Sequence, residues 1–440
     1  MNRWSTVLLL LAAIMSSSGS WASDCFGMRN QLQRNGFEVA LAAPNYYPDS
    51  KQAVCASSNK CCTPDVEAAF LQRAQKDLSD AVLSATQPLD QLLETTLGDA
   101  SERMAMLLHR SARDARTLLQ QVYPSLATQS DAQKAIKQFY ENLDTHVLTA
   151  WDSDLRIKHL RVDVRETVAV FFAQLFSPAF LCVTMGEPCR AVTANYTICL
   201  INNAAEFEPF GDEPKRFAKL LANYIGEYRA VVASLRALQM HIADIRTSLL
   251  PGRTQNEQCI RDVARLKMCS MCSSEREQAG FCPDYCQDVL HSCLHSDGWR
   301  KEWDRALMLL KDMDLTRRQP TIIEAEKALM EFGKSVQLAV TNVVESRAPM
   351  VAKSVVGRCG SLPHHHHLPQ EPSTQSPTAT KRAIRRARRV PIDSKSVAES
   401  LRAGVGNLSE YVGWWRRLTA SLCRRADDGT RCWNGTSVGR

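Results

Sequence analysis

Apolar residues recur every three or four positions over long stretches of this chain, which is the spacing of one face of an α-helix. The first such stretch runs from Thr63 to about Val122. Thr63 offers an N-cap hydroxyl, Pro64 suits the first helical position, and Asp65 faces the positive end of the helix dipole. The pattern therefore predicts one long helix that begins directly after Thr63.

Three more helical segments follow from the same kind of pattern. Ser130-x-x-Gln133 resembles a capping box and predicts a helix start. Pro251-Gly252 ends another long stripe, because neither residue continues a helix readily. The members of that stripe are Phe217, Leu220, Leu221, Tyr224, Tyr228, Val231, Leu235, Leu238, Ile242, Ile245 and Leu249. A last helix is predicted within Val405 to Leu422.

That last segment carries its aromatic residues on one side, with Tyr411, Trp414 and Trp415 beside two arginines. This pattern is compatible with a helix on a membrane surface. Docking on the protein core is favoured, because two cysteines follow directly. Alternating strand patterns are scarce, so the predicted fold class is all-α: an elongated, disulfide-stapled helical bundle with a cysteine-rich lobe.

The amino terminus has the pattern of a secretory signal peptide over residues 1–22. Arg3 supplies a positive start, Val7 to Met15 form an apolar run, and small residues ending at Ala22 fit a signal peptidase site. The run is far shorter than the roughly 20 residues that span a bilayer. We expect no other apolar stretch of spanning length, and hence neither a transmembrane helix nor a glycolipid anchor signal in the chain as given.

All 16 cysteines lie after the predicted signal peptide, so they enter an oxidising compartment where disulfides are expected. Three sequons, at Asn195, Asn407 and Asn434, are candidate N-glycosylation sites. The net charge of +7 is mild for 440 residues and is largely local. Nucleic acid is therefore not expected as a partner.

Residues 361–391 form a linker between two folded parts. Its first part is rich in Pro, Ser and Thr and contains His364 to His367, a composition that buries too little apolar surface to fold. The histidine tract is predicted to be solvated rather than to bind a metal. The basic run Lys381 to Arg389 follows, and exposed basic loops are where convertases cut. We predict cleavage between Arg389 and Val390, the alternative being an intact loop. A modest affinity for heparin-like chains is compatible with either fate.

One cluster of cysteines has two possible chemistries. In a cytosolic protein, Cys269, Cys272, Cys282 and Cys286 would suggest tetrahedral zinc. The signal peptide favours disulfides, because thiols of the secretory pathway are oxidised. Cys-Ser-Met-Cys also lacks the strand–helix context of a thioredoxin-like site. We therefore interpret these cysteines as structural and expect neither a bound metal nor a cofactor.

Enzymatic activity is not expected. The histidines His241, His291 and His295 are not part of a nucleophile elbow, a zincin helix or a paired-acid motif. Scattered histidines and acids are ordinary in helical cores. We therefore assign no catalytic residue.

Five segments, in order along the chain, together resemble the glypican family. They are Cys61-Cys62-Thr63-Pro64; Cys199 with Pro209-Phe210-Gly211-Asp212; Cys269-Ser270-Met271-Cys272 with Cys282-Pro283-Asp284-Tyr285-Cys286; Cys293-Leu294 with Trp303; and Cys423 with Cys432-Trp433-Asn434-Gly435. The convertase-type site precedes the last segment, as in that family.

The resemblance implies a set of disulfides that spacing alone cannot choose. The implied pairs are Cys25–Cys61, Cys55–Cys269, Cys62–Cys272, Cys199–Cys359, Cys259–Cys293, Cys282–Cys432 and Cys286–Cys423. Cys182 and Cys189 are left over, would close a small extra loop, and are not part of the family pattern. The implied division is a signal peptide at 1–22, a helical core at 23–360, the linker, and a carboxy-terminal segment at 392–440 that is disulfide-linked to the core.

The sequence departs from the family in its attachment sites. The only Ser-Gly pair, Ser18-Gly19, lies in the predicted signal peptide, whereas family members carry glycosaminoglycans on Ser-Gly sites near a glycolipid anchor. We interpret the sequence as truncated rather than as a natural soluble form. Heparan sulfate and membrane anchorage are expected from the family, although no residue of this chain supports them.

The function implied by the resemblance is that of a cell-surface heparan sulfate proteoglycan core protein. Such a protein binds or presents secreted growth factors and morphogens, of Wnt, hedgehog or bone-morphogenetic type, and regulates their signalling. Its expected location is the extracellular face of the plasma membrane or the extracellular space. The alternative is a passive structural extracellular glycoprotein, but the collagen-like or coiled-coil repeats typical of that class are absent.

Overall fold

The structure, a computed structural model, is almost entirely helical. The ranges that it describes are 30–37, 54–55, 62–148, 163–185, 189, 192–249, 257–272, 280–294, 297–312, 319–362, 396–423, 431–436 and 438–439. Within these ranges two short strands, β1 (Cys432–Trp433) and β2 (Val438–Gly439), form an antiparallel pair. The predicted all-α fold class is confirmed.

Helices account for most of the described residues after Thr63. In chain order they are α1 Pro64–Val122, α2 Pro124–Ala127, α3 Ser130–Leu148, α4 Val164–Met185, α5 Ala194–Asn202, α6 Ala204–Phe207, α7 Glu213–Ser248, α8 Glu257–Lys267, α9 Pro283–Leu294, α10 Asp297–Asp312, α11 Gln319–Met330, α12 Phe332–Thr341, α13 Ala348–Cys359, α14 Val397–Leu408 and α15 Trp414–Leu422. Cys269–Cys272 and Ser409–Tyr411 are 3₁₀ turns, and Asn342–Arg347 is a π-helical segment.

Helix α1 begins where its sequence predicts. Thr63 Oγ1 accepts the backbone N–H of Val66 at 3.4 Å, and Pro64 is the first helical residue. Glu67, in the first turn, accepts the N–H groups of Val54 and Cys55 at 2.9 and 3.0 Å. The start of α1 therefore fixes the backbone that carries Cys55.

The capping box predicted at Ser130 does not form, although α3 begins there. Gln133 Nε2 donates to the carbonyl of Ala127 at 3.0 Å, and Ser130 Oγ contacts Asp131 Oδ1 at 3.4 Å. Ala127 ends the short helix α2, and carbonyls in a last helical turn have no partner within their helix. The prediction of a helix was right, but the prediction of its cap was wrong.

Helix α4 corrects the expectation that no second stretch is long and apolar enough to span a membrane. Residues 164–184 are long and apolar enough to cross a bilayer, with a mean hydropathy of 1.8, and most of this stretch is buried within the protein. Phe171, Phe176 and Phe180 are each at most 2% exposed. An apolar helix is expected where neighbouring helices cover it, so burial accounts for this composition.

Contacts divide the chain into two compact units, each assembled from segments that are distant in sequence. Unit 1 contains the described residues of 1–91, 238–308 and 408–440, and unit 2 those of 92–237 and 309–407. The predicted stripe from Phe217 to Leu249 is buried along α7, except that Leu220 is half-buried.

The core of unit 2 is a cluster of phenylalanine rings centred on Phe332, which is fully buried. Its ring centroid lies 4.7 Å from those of Phe139 and Phe217 and 5.2 Å from that of Phe171. Pairs of this kind contribute roughly 0.5–1.5 kcal/mol each beyond their buried area. Four helices (α3, α4, α7 and α12) are thereby held together.

Helix α14, the first described element after the linker, docks on unit 2 through its amino-terminal end. Ser396 and Glu399 form a reciprocal capping box, with both hydrogen bonds at 3.0 Å. Glu326, which is 5% exposed, accepts the N–H of Ala398 and the phenol O–H of Tyr224, both at 3.0 Å. A buried carboxylate thus satisfies a backbone donor that the start of a helix leaves open.

Gly404 lets α14 approach α1 closely, because a Cβ there would lie 2.2 Å from Thr96 Cγ2. We predict that Gly404→Ala lowers the free energy of unfolding by about 1–3 kcal/mol through overpacking. Gly406→Ala is the matched control, since a Cβ at 406 meets no atom within 4 Å. The control should be neutral or stabilising by up to about 1 kcal/mol, from helix propensity. Circular dichroism melts test this; equal midpoints for the two variants would contradict it.

Burial raises the pKa of Glu326, an effect that the hydrogen bonds from Ala398 and Tyr224 partly offset. The folded state then holds this proton more tightly than the unfolded state. Wild-type stability should therefore fall as the pH rises from the ordinary value of 4.5 through the raised pKa of Glu326. Glu326→Gln keeps an acceptor oxygen but does not titrate. The difference in free energy of unfolding between this variant and the wild type should therefore shift in favour of the variant as the pH rises through the same interval. Unfolding curves at several pH values measure this, and parallel pH profiles would disprove it.

Candidate functional site

Unit 1 contains a disulfide cluster that ties three distant parts of the chain together. The 3₁₀ turn at Cys269–Cys272 directs its two cysteines to different partners, Cys55 and Cys62. Arg265 reinforces the first of these connections by donating from Nε to the carbonyl of Val54 at 3.0 Å. The segment before α1 is therefore fixed to the chain about 210 residues later.

Two more disulfides attach the carboxy-terminal segment to helix α9 and to the residue before it. Cys286 bonds Cys423, and Cys282 bonds Cys432. Cys259–Cys293 in turn joins α9 to α8. The residues on either side of the linker are thus covalently connected within unit 1.

Trp433 completes this attachment. Its indole Nε1 donates to the carbonyl of Arg265 at 2.9 Å, and its ring is 3% exposed. Its backbone bridges to Phe281, with the Trp433 N–H donating to the carbonyl of Gly280 at 2.8 Å and the Cys282 N–H donating to the Trp433 carbonyl at 2.9 Å. The segment around Cys432 is therefore held by side-chain, backbone and covalent contacts together.

Gly435 follows at a position that requires glycine. Its φ is +99°, and an added Cβ would lie 2.5 Å from the ring of Tyr285. A side chain would be strained in this left-handed conformation and would also clash. Burial raises the pKa of the Tyr285 phenol, which therefore stays protonated. Cys-Trp-Asn-Gly is thus a packed turn whose residue types follow from local geometry.

A second aromatic contact holds the segment that precedes Cys423. Trp303, 1% exposed, packs against Trp414 and Trp415 with ring centroids 6.3 Å away in each case. The helix predicted from Val405 to Leu422 is broken in two, because Gly413 adopts a left-handed conformation with φ +70°. Its N–H donates to Asp304 Oδ1 at 2.9 Å, which fixes the break.

Unit 2 contains two other disulfides. Cys199–Cys359 joins α5 to α13, and Cys182–Cys189 closes a short loop at the end of α4. Cys25 and Cys61 lie outside the described residues, as do Arg389 and Val390 with the whole predicted linker cut.

No reactive thiol is available in this cysteine cluster. Cys269, Cys272, Cys282 and Cys286 are all disulfide-bonded, so they are not thiolate ligands for zinc. Within the described ranges, no three His, Cys, Asp or Glu side chains are grouped as metal ligands. His241 stacks on Trp303 at a centroid distance of 6.3 Å. These contacts are those of a structural core.

The three sequon asparagines are all exposed. Asn195 lies in the first turn of α5, and Asn407 lies at the end of α14. Asn434 lies between the two strands, where its Oδ1 accepts the N–H and the Oγ1–H of Thr436, both at 3.0 Å. Each asparagine is therefore accessible on the surface of the folded chain.

Sequence reasoning missed the ion pair between Arg246 and Asp90, whose Nη1 and Oδ2 atoms are 2.5 Å apart. Arg246 Nε also donates to Thr86 Oγ1 at 2.8 Å. It also missed the carboxylates of Glu67 and Glu326, which accept backbone N–H groups. No signal in a single sequence identifies such long-range partners.

The chain matches the family model Glypican over residues 7–440. It is 23% identical over 444 residues to Glypican-1 of Homo sapiens, a match that covers 98% of this chain and 73% of that relative. The crystal structure of the full-length glypican-1 core protein has the same fold, with a TM-score of 0.65, 21% identity, and coverage of 94% of this chain and 87% of that one.

A structure of Dally-like protein in complex with O-palmitoleoyl serine is also similar. Its TM-score is 0.60 at 17% identity, and the match covers 95% of this chain and 87% of that one. These two likenesses establish the fold alone. The family match extends over nearly the whole chain, and this protein is therefore a member of the glypican family.

Proposed function

We propose that this protein binds or presents secreted growth factors and morphogens at the cell surface and regulates their signalling, as a heparan sulfate proteoglycan core. Membership of the glypican family supports the role of a proteoglycan core protein, and this single observation carries the proposal. Heparan sulfate and a membrane anchor are expected from the family. The proposed ligands are of Wnt, hedgehog or bone-morphogenetic type.

The disulfide-linked helical units suit a protein that presents ligands. Bridges between distant segments restrict the unfolded chain, and a rigid surface loses little conformational entropy on binding. All the cysteines of the described residues are oxidised. This arrangement suits a binding surface better than a catalytic site, and we propose no enzymatic activity.

Acylated ligands receive support from one structural neighbour. Dally-like protein has been solved in complex with O-palmitoleoyl serine, a fatty-acylated serine. We propose that ligands of this class are among those that the present protein recognises.

We also propose two modifications. The exposed side chains of Asn195, Asn407 and Asn434 would carry N-glycans, and a convertase would cut between Arg389 and Val390. Both proposals rest on the sequence patterns, and the accessibility of the asparagines supports the first.

A cut after Arg389 should leave the two pieces joined, because Cys282–Cys432 and Cys286–Cys423 connect residues on either side of it. Cleaved protein should therefore run as one band on non-reducing gels and as two after reduction. Arg386→Ala with Arg389→Ala should abolish the second band. A variant in which all four of these cysteines are serine should release the carboxy-terminal piece in denaturant without a reductant. Separation of the wild-type pieces without reduction would contradict the pairing.

Selective ligand capture tests the proposed function itself. The immobilised, secreted chain should bind at least one Wnt-, hedgehog- or bone-morphogenetic-type ligand saturably at about 0.15 M ionic strength, where weak surface charge effects are screened. If acylation is recognised, the deacylated form of the same ligand should bind at least about tenfold more weakly, a loss of roughly 1.4 kcal/mol.

Reduced and alkylated protein serves as the control. It keeps the composition of the wild type but loses the disulfide-held core, so it should lose specific capture. Equal capture by folded and reduced protein would indicate non-specific attraction. A complete lack of saturable binding would instead favour the passive structural glycoprotein.

A further inference from the structure

The sequon at Asn434 lies inside a disulfide-held hairpin of unit 1. The two residues before it form β1, which pairs with β2 after it. Cys432 is bonded to Cys282, and the side chain of Trp433 is buried in the core. The fold therefore holds this sequon on both sides.

The functional groups of the sequon are hydrogen-bonded to each other. Asn434 Oδ1 accepts the backbone N–H and the Oγ1–H of Thr436, each at 3.0 Å. A sequon needs a hydroxyl at its third position, and here that hydroxyl already has an acceptor. Gly435 lies between them, is buried, and leaves no room for a Cβ beside Tyr285. The closed hairpin therefore fixes the sequon in one conformation with its hydroxyl occupied.

A glycan that is already attached is compatible with the closed hairpin. Asn434 is exposed, and its hydrogen bonds with Thr436 use Oδ1, whereas an N-glycan is attached to Nδ2. These hydrogen bonds form equally well with and without the sugar. Closure of the hairpin thus blocks the transfer of the glycan but not its presence.

The order of synthesis creates a competition at this site. Cys282 precedes Cys432 by 150 residues, so it is already in the secretory compartment when the sequon emerges. The order is reversed near Asn195, because Cys199 must wait for Cys359, 160 residues later. Synthesis at about 5–20 residues per second makes that wait about 10–30 s. Disulfides form in seconds to hours, so closure competes with glycan transfer at Asn434 from the start.

We propose that Asn434 is glycosylated only before Cys282–Cys432 closes, so that the folded protein consists of two populations, with and without this glycan. This inference rests on the proposed N-glycosylation and adds how it is regulated. In glycan transfer, a bond forms between Asn434 Nδ2 and the sugar, and the bond from the sugar to the pyrophosphate of a lipid-linked donor breaks. The departing pyrophosphate takes up the proton that Nδ2 loses. In closure, the two thiols lose two electrons and two protons to the disulfide of an oxidoreductase.

Site occupancy tests this proposal in the full chain, expressed through the secretory pathway. Enzymatic removal of the glycans in heavy-oxygen water converts each modified asparagine to labelled aspartate, which mass spectrometry quantifies. The wild type should be partly modified at Asn434, and Cys282→Ser with Cys432→Ser should lose the unmodified fraction. Occupancy at Asn195 should be the same in both proteins. Protein from cells and medium is pooled, so a variant that folds poorly still gives a result.

Gly435→Ala is an independent test that keeps every cysteine and the sequon. Its Cβ would lie 2.5 Å from the ring of Tyr285, and a φ of +99° is strained for alanine. Closure should therefore slow, and the unmodified fraction at Asn434 should fall. The same substitution should add nothing to the variant that lacks the bridge, because closure no longer competes there. Gly406→Ala is the matched control: it precedes Asn407 without a clash and should leave occupancy at Asn434 unchanged.

Two results would overturn the inference while the proposed glycosylation stands. They are complete modification of Asn434 in the wild type, and an unmodified fraction that persists in the variant without Cys282 and Cys432. An effect of Gly435→Ala that remains without the bridge would also contradict it, because the substitution would then act on the transferase. Absence of the glycan from every variant would overturn both this inference and the proposed modification of Asn434. Failure of ligand capture with the expected occupancies would contradict only the proposed function.

Discussion

Disulfides between distant segments are the constraint on which unit 1 depends. Cys55 and Cys62 are joined to a turn more than 200 residues later, and two further bridges span 150 and 137 residues. The neighbouring helices α8 and α9, which carry Cys259, Cys286 and Cys293, have only 11 and 12 residues. Helices this short are marginal by themselves in water, so tertiary links supply what helix propensity does not. Closing such long loops lowers the conformational entropy of the unfolded chain, which stabilises the fold by about 2–5 kcal/mol per bridge.

Unit 2 is held together differently. Its centre is a set of packed phenylalanine rings around Phe332, and only two disulfides lie among its described residues. Directional hydrogen bonds between buried polar groups supplement this apolar packing. Ser111 contacts Tyr140 and the carbonyl of Leu329, and Glu326 caps α14. Burying a carboxylate costs free energy unless hydrogen bonds compensate for the lost water. The hydrogen bonds that Glu326 accepts from Tyr224 and from the backbone of Ala398 provide that compensation. The second of them fixes the position of α14.

Much of the fold could be predicted because helices leave a periodic trace in the sequence. Thr63 and the apolar stripe of α7 mark their helices correctly, since both signals are local. The cap at Ser130 was wrong, because a free carbonyl of the preceding helix competes for Gln133. The break at Gly413 was missed, since a glycine that adopts positive φ cannot be distinguished by periodicity. The disulfide partners came from resemblance and not from spacing, because many pairings fit the same cysteines. The contacts of Glu326 depend on residues far apart in sequence, and no local pattern identifies them.

The attachment of Cys432 and Cys423 to Cys282 and Cys286 also determines how the molecule responds to a mechanical pull. A pulling force applied to the chain beyond Cys432 is transmitted to unit 1 through the disulfides, close to α9. The bridges thus provide a path for the force that does not run through the chain between Cys359 and Ser396. Cutting the chain between Cys359 and Ser396 would leave this path unchanged. An attachment at the carboxy-terminal end would therefore hold an intact molecule and a cleaved molecule equally strongly.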